Sequence, residues 1–443
     1  MTDEAMEVRD ASAGYAPQVG SPVVPQGYRD TEIGVVPEDW EVSAVRQKGE
    51  VLAGKALAVN APGEQRPYLR TKNVLDGRID TADVLKMPMT DEQFRQFQVR
   101  NGDVLLNEGQ SLEFVGRCAI YKDEYPGPCA IQNALLRFRA RSGVCENFAS
   151  HLFRHCQQTG VFSRISLQTT SVAHLGSTRF GLLRLAWPTE VEQRAIATAL
   201  SDADELLETL GRLIAKKRDI KQAAMQQLLT GETRLPGFEG ERRSVRLGDH
   251  VTFLKNGTHS RAELVDSGEV RYLHYGDIHA ADSATLDPAA LPFLPSDKAK
   301  SLSRLNEGDV IFADASEDIE GVGSSVELVN VGDTEVVAGL HTIAARFDKS
   351  VLADGFKAYL QFCPEFISAL RRLAAGTKVY ATTRSHISGT EMRLPDVEEQ
   401  RAIAATLKDM DVELDALEQR RAKTAALKQA MMQELLTGRT RLI

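Results

Sequence analysis

The sequence has few cysteines that could form disulfides and no long apolar segment that could span a membrane. It holds five cysteines among 443 residues, an odd number with no framework spacing, which is typical of a reduced, cytoplasmic protein. No run of 18 or more apolar residues occurs, and the acidic N-terminus has no apolar segment of the signal-peptide kind. We therefore expect no membrane span, no export signal and no disulfide scaffold. The five cysteines are Cys118, Cys129, Cys145, Cys156 and Cys363.

Motifs that carry covalent chemistry are also missing. Residues 49–56 (GEVLAGKA) approach a phosphate-binding loop, but Ala56 stands where a magnesium-binding Ser or Thr is required. His151 and His155 have helical spacing without the glutamate that a zinc protease places after its first histidine. The sequence has no nucleophile elbow, no dinucleotide fingerprint and no Asn/Asp-Pro-Pro-aromatic run of the kind that amino-methyltransferases use. These observations predict a chain without catalytic activity, metal or cofactor of its own.

Charge is unevenly distributed along the chain. The net charge is −9, which argues weakly against nucleic acid as a partner. Residues 41–185, however, carry a net charge of +5, whereas residues 236–392 carry −7. Only the first long segment is therefore basic.

The strongest feature is an internal repeat. The segment EQRAIA at residues 192–197 recurs at 399–404, and LLTG at 228–231 recurs at 435–438, both at an offset of 207 residues. Across residues 192–235, 25 of 44 aligned positions are identical. The chain is therefore a duplicated unit of about 200 residues.

Each copy of this segment predicts one long helix. Pro188 and Pro395 lie at the start, acidic residues follow, and Gly231 and Gly438 stand where a C-terminal cap belongs. Apolar residues recur in steps of three and four, with a polar second half, which is heptad spacing. A helix of about 40 residues is about 60 Å long, too long for an ordinary core, so we expect the two copies to pair.

The segments before the helices have a different composition and a different pattern of apolar residues. Short alternating runs and frequent glycines in residues 41–185 and 242–392 predict α+β domains. The two segments match weakly but in order, as in Gly102-Asp103 and Gly308-Asp309, each followed by an apolar run that predicts a buried strand. The helices are thus nearly alike, whereas the two globular segments, here called head 1 and head 2, have diverged.

These residues resemble the specificity (S) subunits of type I restriction–modification systems. Residues 28–41 (YRDTEIGVVPEDWE) are similar to the family's entry to its first target-recognition domain. Residues 185–197 and 393–404, with QQLLTG at 226–231 and QELLTG at 433–438, are similar to the borders of its two conserved helical regions. The resemblance covers nearly the whole chain after the first 26 residues. One departure is that the tryptophan expected near Arg243 is missing.

The resemblance implies an architecture. It is an α+β fold with two globular target-recognition domains, separated by two long α-helices that pair as an antiparallel coiled coil, in a pseudo-two-fold internal repeat. The implied divisions are a flexible leader at residues 1–26, recognition domains at 27–185 and 235–392, and helical spacers at 186–234 and 393–443.

The resemblance also implies a function. Each domain would read one half of a bipartite, asymmetric site in double-stranded DNA. The helices would set the spacing and dock two methyltransferase subunits, which bind S-adenosylmethionine and methylate adenine. Restriction subunits would add translocation and cleavage that need ATP and magnesium.

Base readout requires side chains with directed hydrogen bonds on loops that enter the major groove. Phosphate contacts position a protein without specifying sequence. In head 1 the predicted base-reading residues are Arg70, Lys72, Asn73, Glu108, Gln110, Arg117, Gln132 and Asn133. In head 2 they are His274, Tyr275, Asp277, Ser316, His341, Lys378 and Tyr380, and the predicted phosphate contacts are Arg95, Arg100, Arg179 and Arg384.

Two other functions stay open at this point. One is a non-catalytic coiled-coil adaptor whose heads bind protein. The other is a methyltransferase fused to its own recognition domains, which requires a catalytic domain of some 200 residues that the repeat leaves no room for. Nearly identical helices with diverged heads favour the reading of asymmetric DNA over both.

Overall fold

A computed structural model of the protein describes residues 24–58, 60–169, 171–373 and 380–442. It divides into two compact units, one of residues 1–211 with 420–443 and the other of residues 212–419. We call these unit 1 and unit 2. Each unit therefore contains one head, part of the helix that follows that head and part of the other long helix. Most of the predicted leader, residues 1–23, lies outside the described residues.

Head 1 of unit 1 is built on a four-stranded sheet, order β4-β11-β7-β9, beside a three-stranded sheet, order β10-β5-β6. Smaller sheets are β1-β2, β14-β3 and β12-β13-β8. The strands are β1 (Tyr28–Thr31), β2 (Gly34–Pro37), β3 (Glu41–Ala44), β4 (Gly49–Ala53), β5 (Glu64–Leu69), β6 (Leu85–Met89), β7 (Val104–Asn107), β8 (Gly109–Gln110), β9 (Cys118–Ile120), β10 (Ala130–Ile131), β11 (Leu135–Ala140), β12 (Leu167–Gln168), β13 (Ala173–His174) and β14 (Arg184–Trp187). The helices are α1 (Val45–Lys48), α2 (Asp91–Phe97), α3 (Glu146–Gln158), α4 (Val161–Ile165), α5 (Ser177–Leu182) and the long α6 (Glu190–Thr230).

Head 2 of unit 2 repeats this plan with a five-stranded sheet, order β16-β24-β20-β22-β18, beside β19-β17-β23. The pairs β15-β26 and β21-β25 complete it. The strands are β15 (Arg243–Arg246), β16 (Val251–Phe253), β17 (Val270–Leu273), β18 (Thr285–Leu286), β19 (Phe293–Leu294), β20 (Val310–Ala313), β21 (Ala315–Ser316), β22 (Ser325–Leu328), β23 (Glu335–Ala338), β24 (Thr342–Phe347), β25 (Tyr380–Ala381) and β26 (Glu391–Leu394). The helices are α7 (Tyr275–His279), α8 (Ser296–Ala299), α9 (Pro364–Leu373), α10 (Arg384–Ser388) and the long α11 (Val397–Leu435).

Matching turns begin the central strands β7 and β20. Gly102 and Gly308 have φ of 87° and 84°, a left-handed conformation that favours glycine. The following Asp103 is buried and accepts two hydrogen bonds from the Arg139 guanidinium, each at 2.7 Å. Asp309 does the same for Arg346, at 2.9 and 2.7 Å. The predicted turn and the buried strand after it are thus confirmed in both heads.

The two long helices have 41 and 39 residues, as the heptad spacing predicts. Within unit 1, Lys428 of α11 forms an ion pair with Asp204 of α6. Within unit 2, Lys221 of α6 forms one with Asp411 of α11. Because the two lysines and the two aspartates are each separated by the repeat offset of 207 residues, the pairs are equivalent and exchange helices. Within each unit, therefore, the first half of one long helix pairs with the second half of the other, which is an antiparallel pairing.

The first turn of each long helix is fixed by the end of the other one. In unit 1, Glu192 lies buried and accepts from the Arg441 guanidinium at 2.7 and 2.9 Å. In unit 2 the equivalent Glu399 is buried and accepts from Arg234. These glutamates and arginines lie in the repeated segments on which the resemblance rests. The ion pairs explain why a glutamate at the start of one long helix recurs together with an arginine after the end of the other.

Candidate nucleic-acid interface

The predicted base-reading residues that the structure describes gather at one edge of the sheets in each head. In head 1 this edge comprises the chain after β5, the chain after β7 and the turn before β11. Backbone hydrogen bonds join these segments, from Gln132 to Leu69 at 2.9 Å and from Glu108 to Ala134 at 2.9 Å. We call this the first edge. It brings together residues that are up to 63 positions apart in the sequence, from Arg70 to Asn133.

Head 2 has an equivalent second edge, comprising the chain after β17, the chain after β20 and the turn before β24. Tyr275 donates its backbone N–H to the carbonyl of Leu340 at 3.3 Å, and Asp314 donates its backbone N–H to the carbonyl of His341 at 3.1 Å. The short pair β21-β25 extends this edge, with Ser316 opposite Tyr380. Both edges are therefore made by the same three segments of a common frame.

Two cationic side chains of the first edge, Arg70 and Lys72, share the carboxylate of Asp83. Arg70 donates to Asp83 at 2.6 Å and Lys72 donates to the same oxygen at 2.8 Å. The hydrogen bond from Lys72 is the main reason why the pKa of Asp83 lies below its usual range. The Lys72 side chain remains 67% exposed, so it is accessible to a phosphate or a base.

Asn73 has a structural role. Its side chain is 2% exposed, accepts from the backbone of Arg70 at 3.0 Å and donates to the carbonyls of Asp80 at 2.8 Å and Asp83 at 3.1 Å. Both ends of the amide are hydrogen-bonded inside the protein in this structure, and the base contact from Asn73 stays a prediction. The residue holds the turn that presents Arg70 and Lys72.

The rest of the first edge surrounds strand β8. Glu108 lies 3.2 Å from Nδ1 of His174, and Gln110 pairs with Ala173 of β13. Arg117 stacks on the exposed ring of Phe114, with 4.0 Å between the guanidinium carbon and the ring centroid. Gln132 is half-buried and Asn133 is exposed. The edge thus presents amide, carboxylate, imidazole and guanidinium groups side by side.

An aromatic cluster centres on Tyr275 in the second edge. Its ring meets those of His274, His279 and His341 at centroid distances of 4.5, 6.1 and 5.5 Å. His341 has φ of 57°, which is uncommon for a residue with a side chain, and its Nδ1 lies 3.2 Å from Asp314. Non-glycine residues in this conformation concentrate at functional sites.

Three predicted residues of head 2 are instead committed to local structure. Asp277 accepts from the backbone of His274 at 2.8 Å and from Arg261 at 2.6 Å, so it caps α7. His274 is 7% exposed and accepts at 3.3 Å from the Gly276 backbone, and burial lowers its pKa. Ser316 is also 7% exposed and lies in a turn with Asp318. His274 and Ser316 are buried in this structure, so their base contacts stay predictions, and Asp277 caps the helix that carries Tyr275.

The remaining predicted residues have mixed positions. Tyr380 is half-buried in β25, and Lys378 lies outside the described residues. Arg384 is exposed, stacks on Phe253 and donates to Asn256 at 3.2 Å. Arg179 donates to the carbonyl of His174 at 2.7 Å. Arg95 and Arg100 are exposed, but Arg100 precedes β7 and so lies at the opposite end of that strand from Glu108.

Sequence reasoning missed several residues of the edges. His174, Phe114, His279, Arg261 and Asp314 all lie there but were not predicted. One signal was present for Asp314: it follows Gly308 by six residues, as Glu108 follows Gly102. His174 reaches the first edge only through the pairing of β13 with β8, for which the sequence has no local signal, whereas His279 lies one helical turn after Tyr275 in α7.

The residues described by the structure show no group of three or more His, Cys, Asp or Glu side chains arranged to hold a metal ion. His151, considered as a zinc ligand, is buried with its Nε2 3.2 Å from Ser201, and burial lowers its pKa to about 4. Cys156 is buried in the same helix. These side chains belong to the core. Among the described residues, no helix is long and apolar enough to cross a membrane.

Comparison with known proteins defines the class to which this fold corresponds. No family model matches the chain. The type I restriction enzyme MjaVIII specificity subunit of Methanocaldococcus jannaschii is 24% identical over 430 residues, covering 92% of this chain and 94% of that protein. The S subunit of a type I restriction–modification system from M. genitalium superposes with a TM-score of 0.53 at 14% identity, covering 89% of this chain and 96% of the other.

A chain from a structure describing complex assembly and conformational transition of the type I restriction–modification system superposes with a TM-score of 0.57. It is 17% identical and the match covers 91% of this chain and 99% of that chain. The relatives are thus type I specificity subunits and the structural neighbours have their fold, so the predicted resemblance and the predicted fold class are confirmed. These relatives also confirm the prediction that the chain is a non-catalytic subunit.

Proposed function

We propose that this chain is the subunit that selects the DNA sequence for a type I restriction–modification complex. Head 1 reads one half of a bipartite, asymmetric site in double-stranded DNA and head 2 reads the other. The long helices set the distance between the half-sites and dock two methyltransferase subunits, which direct adenine methylation. Restriction subunits join the same complex.

One observation carries this proposal: a common frame presents two chemically different edges. The helices, their Glu–Arg ion pairs and the Gly-Asp turns are equivalent in both units. At the same frame position the first edge carries Arg70 and the second carries His274, and at the next position they carry Thr71 and Tyr275. Two different readers on one repeated frame are suited to an asymmetric target, because base readout depends on the side chains at each position.

The chemistry of the complex resides in the partner subunits. S-adenosylmethionine belongs to the methyltransferase subunits, and ATP and magnesium belong to the restriction subunits. The cytoplasm, where DNA and these partners meet, remains the predicted location.

Head 2 is acidic, with a net charge of −7 over residues 236–392, which disfavours tight DNA binding by this chain alone. The methyltransferase subunits then supply most of the phosphate neutralisation. A salt titration of DNA binding tests this division of labour. The free chain should bind weakly with a shallow salt dependence, whereas tight binding that falls steeply with salt would mean that the chain itself contacts many phosphates.

The function is tested by sequencing the methylated bases in a host that expresses the partner methyltransferase with and without this chain. A bipartite N6-methyladenine motif should appear only when the chain is present. Unchanged methylation, with both proteins folded, would instead favour an adaptor whose heads bind protein.

A further inference from the structure

A carboxylate occupies the same position in both edges. Glu108 and Asp314 each follow the central strand of their head. Each donates its backbone N–H to the residue before the neighbouring strand, at 2.9 and 3.1 Å, and each accepts an equivalent backbone hydrogen bond at 2.8 Å, from Leu175 and Thr382. Four backbone hydrogen bonds therefore establish the equivalence, although the heads have diverged almost everywhere else.

Each carboxylate is paired with a histidine, but the histidine comes from a different element. Glu108 lies 3.2 Å from Nδ1 of His174 in β13, and Asp314 lies 3.2 Å from Nδ1 of His341 before β24. The replacement is reciprocal. In head 2 the position equivalent to His174 is occupied by Ala381. His174 pairs with Gly109 and Ala381 pairs with Ala315, and these two partners directly follow Glu108 and Asp314. The position of His341 is occupied by Ala134 in head 1, since each accepts the backbone N–H of its carboxylate residue.

Stability does not account for this recurrence. The His174 and His341 side chains are 43% and 53% exposed, and an ion pair whose histidine is this exposed contributes little to stability. A carboxylate on a DNA-facing edge also repels phosphate. A pair that adds little to stability and opposes nonspecific binding, yet is built by two routes, indicates a function in recognition.

The chemistry of the pair defines what it can read. A carboxylate only accepts hydrogen bonds, and a neutral imidazole whose Nδ1–H points at that carboxylate presents Nε2 as a second acceptor. In the major groove the hydrogen-bond donors are the exocyclic amino groups of cytosine and adenine, whereas guanine O6 and thymine O4 are acceptors. The pair therefore favours the first two bases and repels the last two.

We propose that Glu108 and Asp314, each oriented by its histidine, read an exocyclic amino group of cytosine or adenine in the half-site bound by their own head. This inference rests on the proposed function and adds a specificity-determining residue to each head. His174 and His341 are positioning residues in this account.

The test uses the full chain assembled with its methyltransferase and a library of duplexes randomised within both half-sites. Methylated products are sequenced for the wild type, Glu108→Gln and Asp314→Asn. Each amide keeps the shape of the side chain but adds an N–H donor, so it tolerates guanine or thymine. Discrimination at one base pair should fall about 10- to 100-fold in the half-site of the altered head, with the other half-site unchanged.

Matched controls are Glu113→Gln and Glu317→Gln, which remove the same charge from exposed side chains near each edge. They should leave both half-sites unaltered. His174→Ala and His341→Ala should relax the same base pair as the neighbouring carboxylate variant, by a smaller factor, which a merely structural histidine would not do.

Two results would overturn the inference. One is an unaltered motif with Glu108→Gln and Asp314→Asn, and the other is an equal loss of methylation on every sequence. Failure of the proposed function is a separate result, because the wild-type chain would then impose no bipartite motif at all.

Discussion

The two units meet the ends of the long helices with different residues. In unit 1, Trp40 is 1% exposed, packs beside Gly438 and donates its Nε1–H to Glu192 at 3.0 Å. In unit 2, Arg242 stands at the equivalent position beside Gly231 and donates to the carbonyl of Leu228 at 2.6 Å. Arg242 therefore occupies the position near Arg243 at which the family resemblance leads us to expect a tryptophan. The frame keeps its helix-end glycine and its glutamate, whereas the head's contribution to the junction is free to change.

The difference extends to the strand that leads into each long helix. Both tryptophans of the chain are in unit 1, and the second, Trp187, is replaced by Leu394. Arg242 and Leu394 line a cleft in unit 2 together with Phe356 and Met392. A pair of large rings thus fills the junction of unit 1, whereas unit 2 substitutes hydrogen bonds and leaves space. Packing should therefore dominate the stability of the first junction and polar contacts that of the second.

The largest expected effect is at the packed junction. Trp40→Ala removes a buried ring and a hydrogen bond and should lower the free energy of unfolding of unit 1 by about 3–5 kcal/mol. Arg242→Ala removes hydrogen bonds to helix carbonyls and should cost unit 2 only about 1–2 kcal/mol. Denaturant unfolding followed by the fluorescence of Trp187 reports on unit 1, and hydrogen exchange in β15 and β26 reports on unit 2. Equal costs would contradict the comparison.

Acid should affect the two units in opposite directions. Burial lowers the pKa of His151 in unit 1 to about 4, below the ordinary value of 6.5, so stability is lost as the pH falls from about 6.5 to 4. Burial raises the pKa of Glu327 in unit 2 to about 7, above the ordinary value of 4.5, so stability is lost as the pH rises from about 4.5 to 7. Each effect is on the order of 3 kcal/mol.

Unfolding measured at pH 5 and pH 7.5 checks these signs. His151→Gln should flatten the dependence of unit 1, and Glu327→Gln that of unit 2. The equivalent of Glu327 in unit 1 is the apolar Ile120. The next residues, Leu328 and Tyr121, each donate their backbone N–H to the backbone carbonyl of the aspartate in the Gly-Asp turn of their own head. A wild-type profile with the same sign in both units would show that other groups dominate.

The equivalent helix ion pairs should differ by a smaller amount. The side chain of Lys428 is 8% exposed, while that of Lys221 is 25% exposed. Lys428→Met leaves Asp204 with Arg154, at 3.0 Å, as its remaining partner, so we expect a cost of about 1–3 kcal/mol in unit 1. Lys221→Met should cost unit 2 less than about 1 kcal/mol. The midpoints of urea unfolding for the two variants decide the order, and a larger effect of Lys221→Met would reverse it.

The smallest effect is expected from filling the cleft of unit 2. Leu394→Trp restores the ring of unit 1 and should stabilise unit 2 by up to about 1 kcal/mol, whereas Trp187→Leu should cost unit 1 about 2–4 kcal/mol. Hydrogen exchange in the two units measures both. A loss of stability with Leu394→Trp would show that the cleft cannot hold the ring.

Periodicity predicted the long helices because their heptad pattern is local, and the Gly-Asp turns were predicted for the same reason. The edges were predicted only in outline. Asn73, His274 and Ser316 follow strands as expected, but their burial depends on turns that a sequence does not reveal. His174 lies 66 residues from its partner Glu108, and only the pairing of β13 with β8 brings them together. The departure at Arg242 was visible in the sequence, whereas its hydrogen bonds to the helix end were not.

The most direct test exchanges the readers while keeping the frame. In a full chain whose residues 242–394 are replaced by residues 40–187, both heads carry the first edge. Methylation with the partner methyltransferase should then occur at a symmetric motif, made of the head 1 half-site and its inverted repeat. Retention of the original asymmetric motif by this folded chain would contradict the claim that the heads specify the DNA sequence.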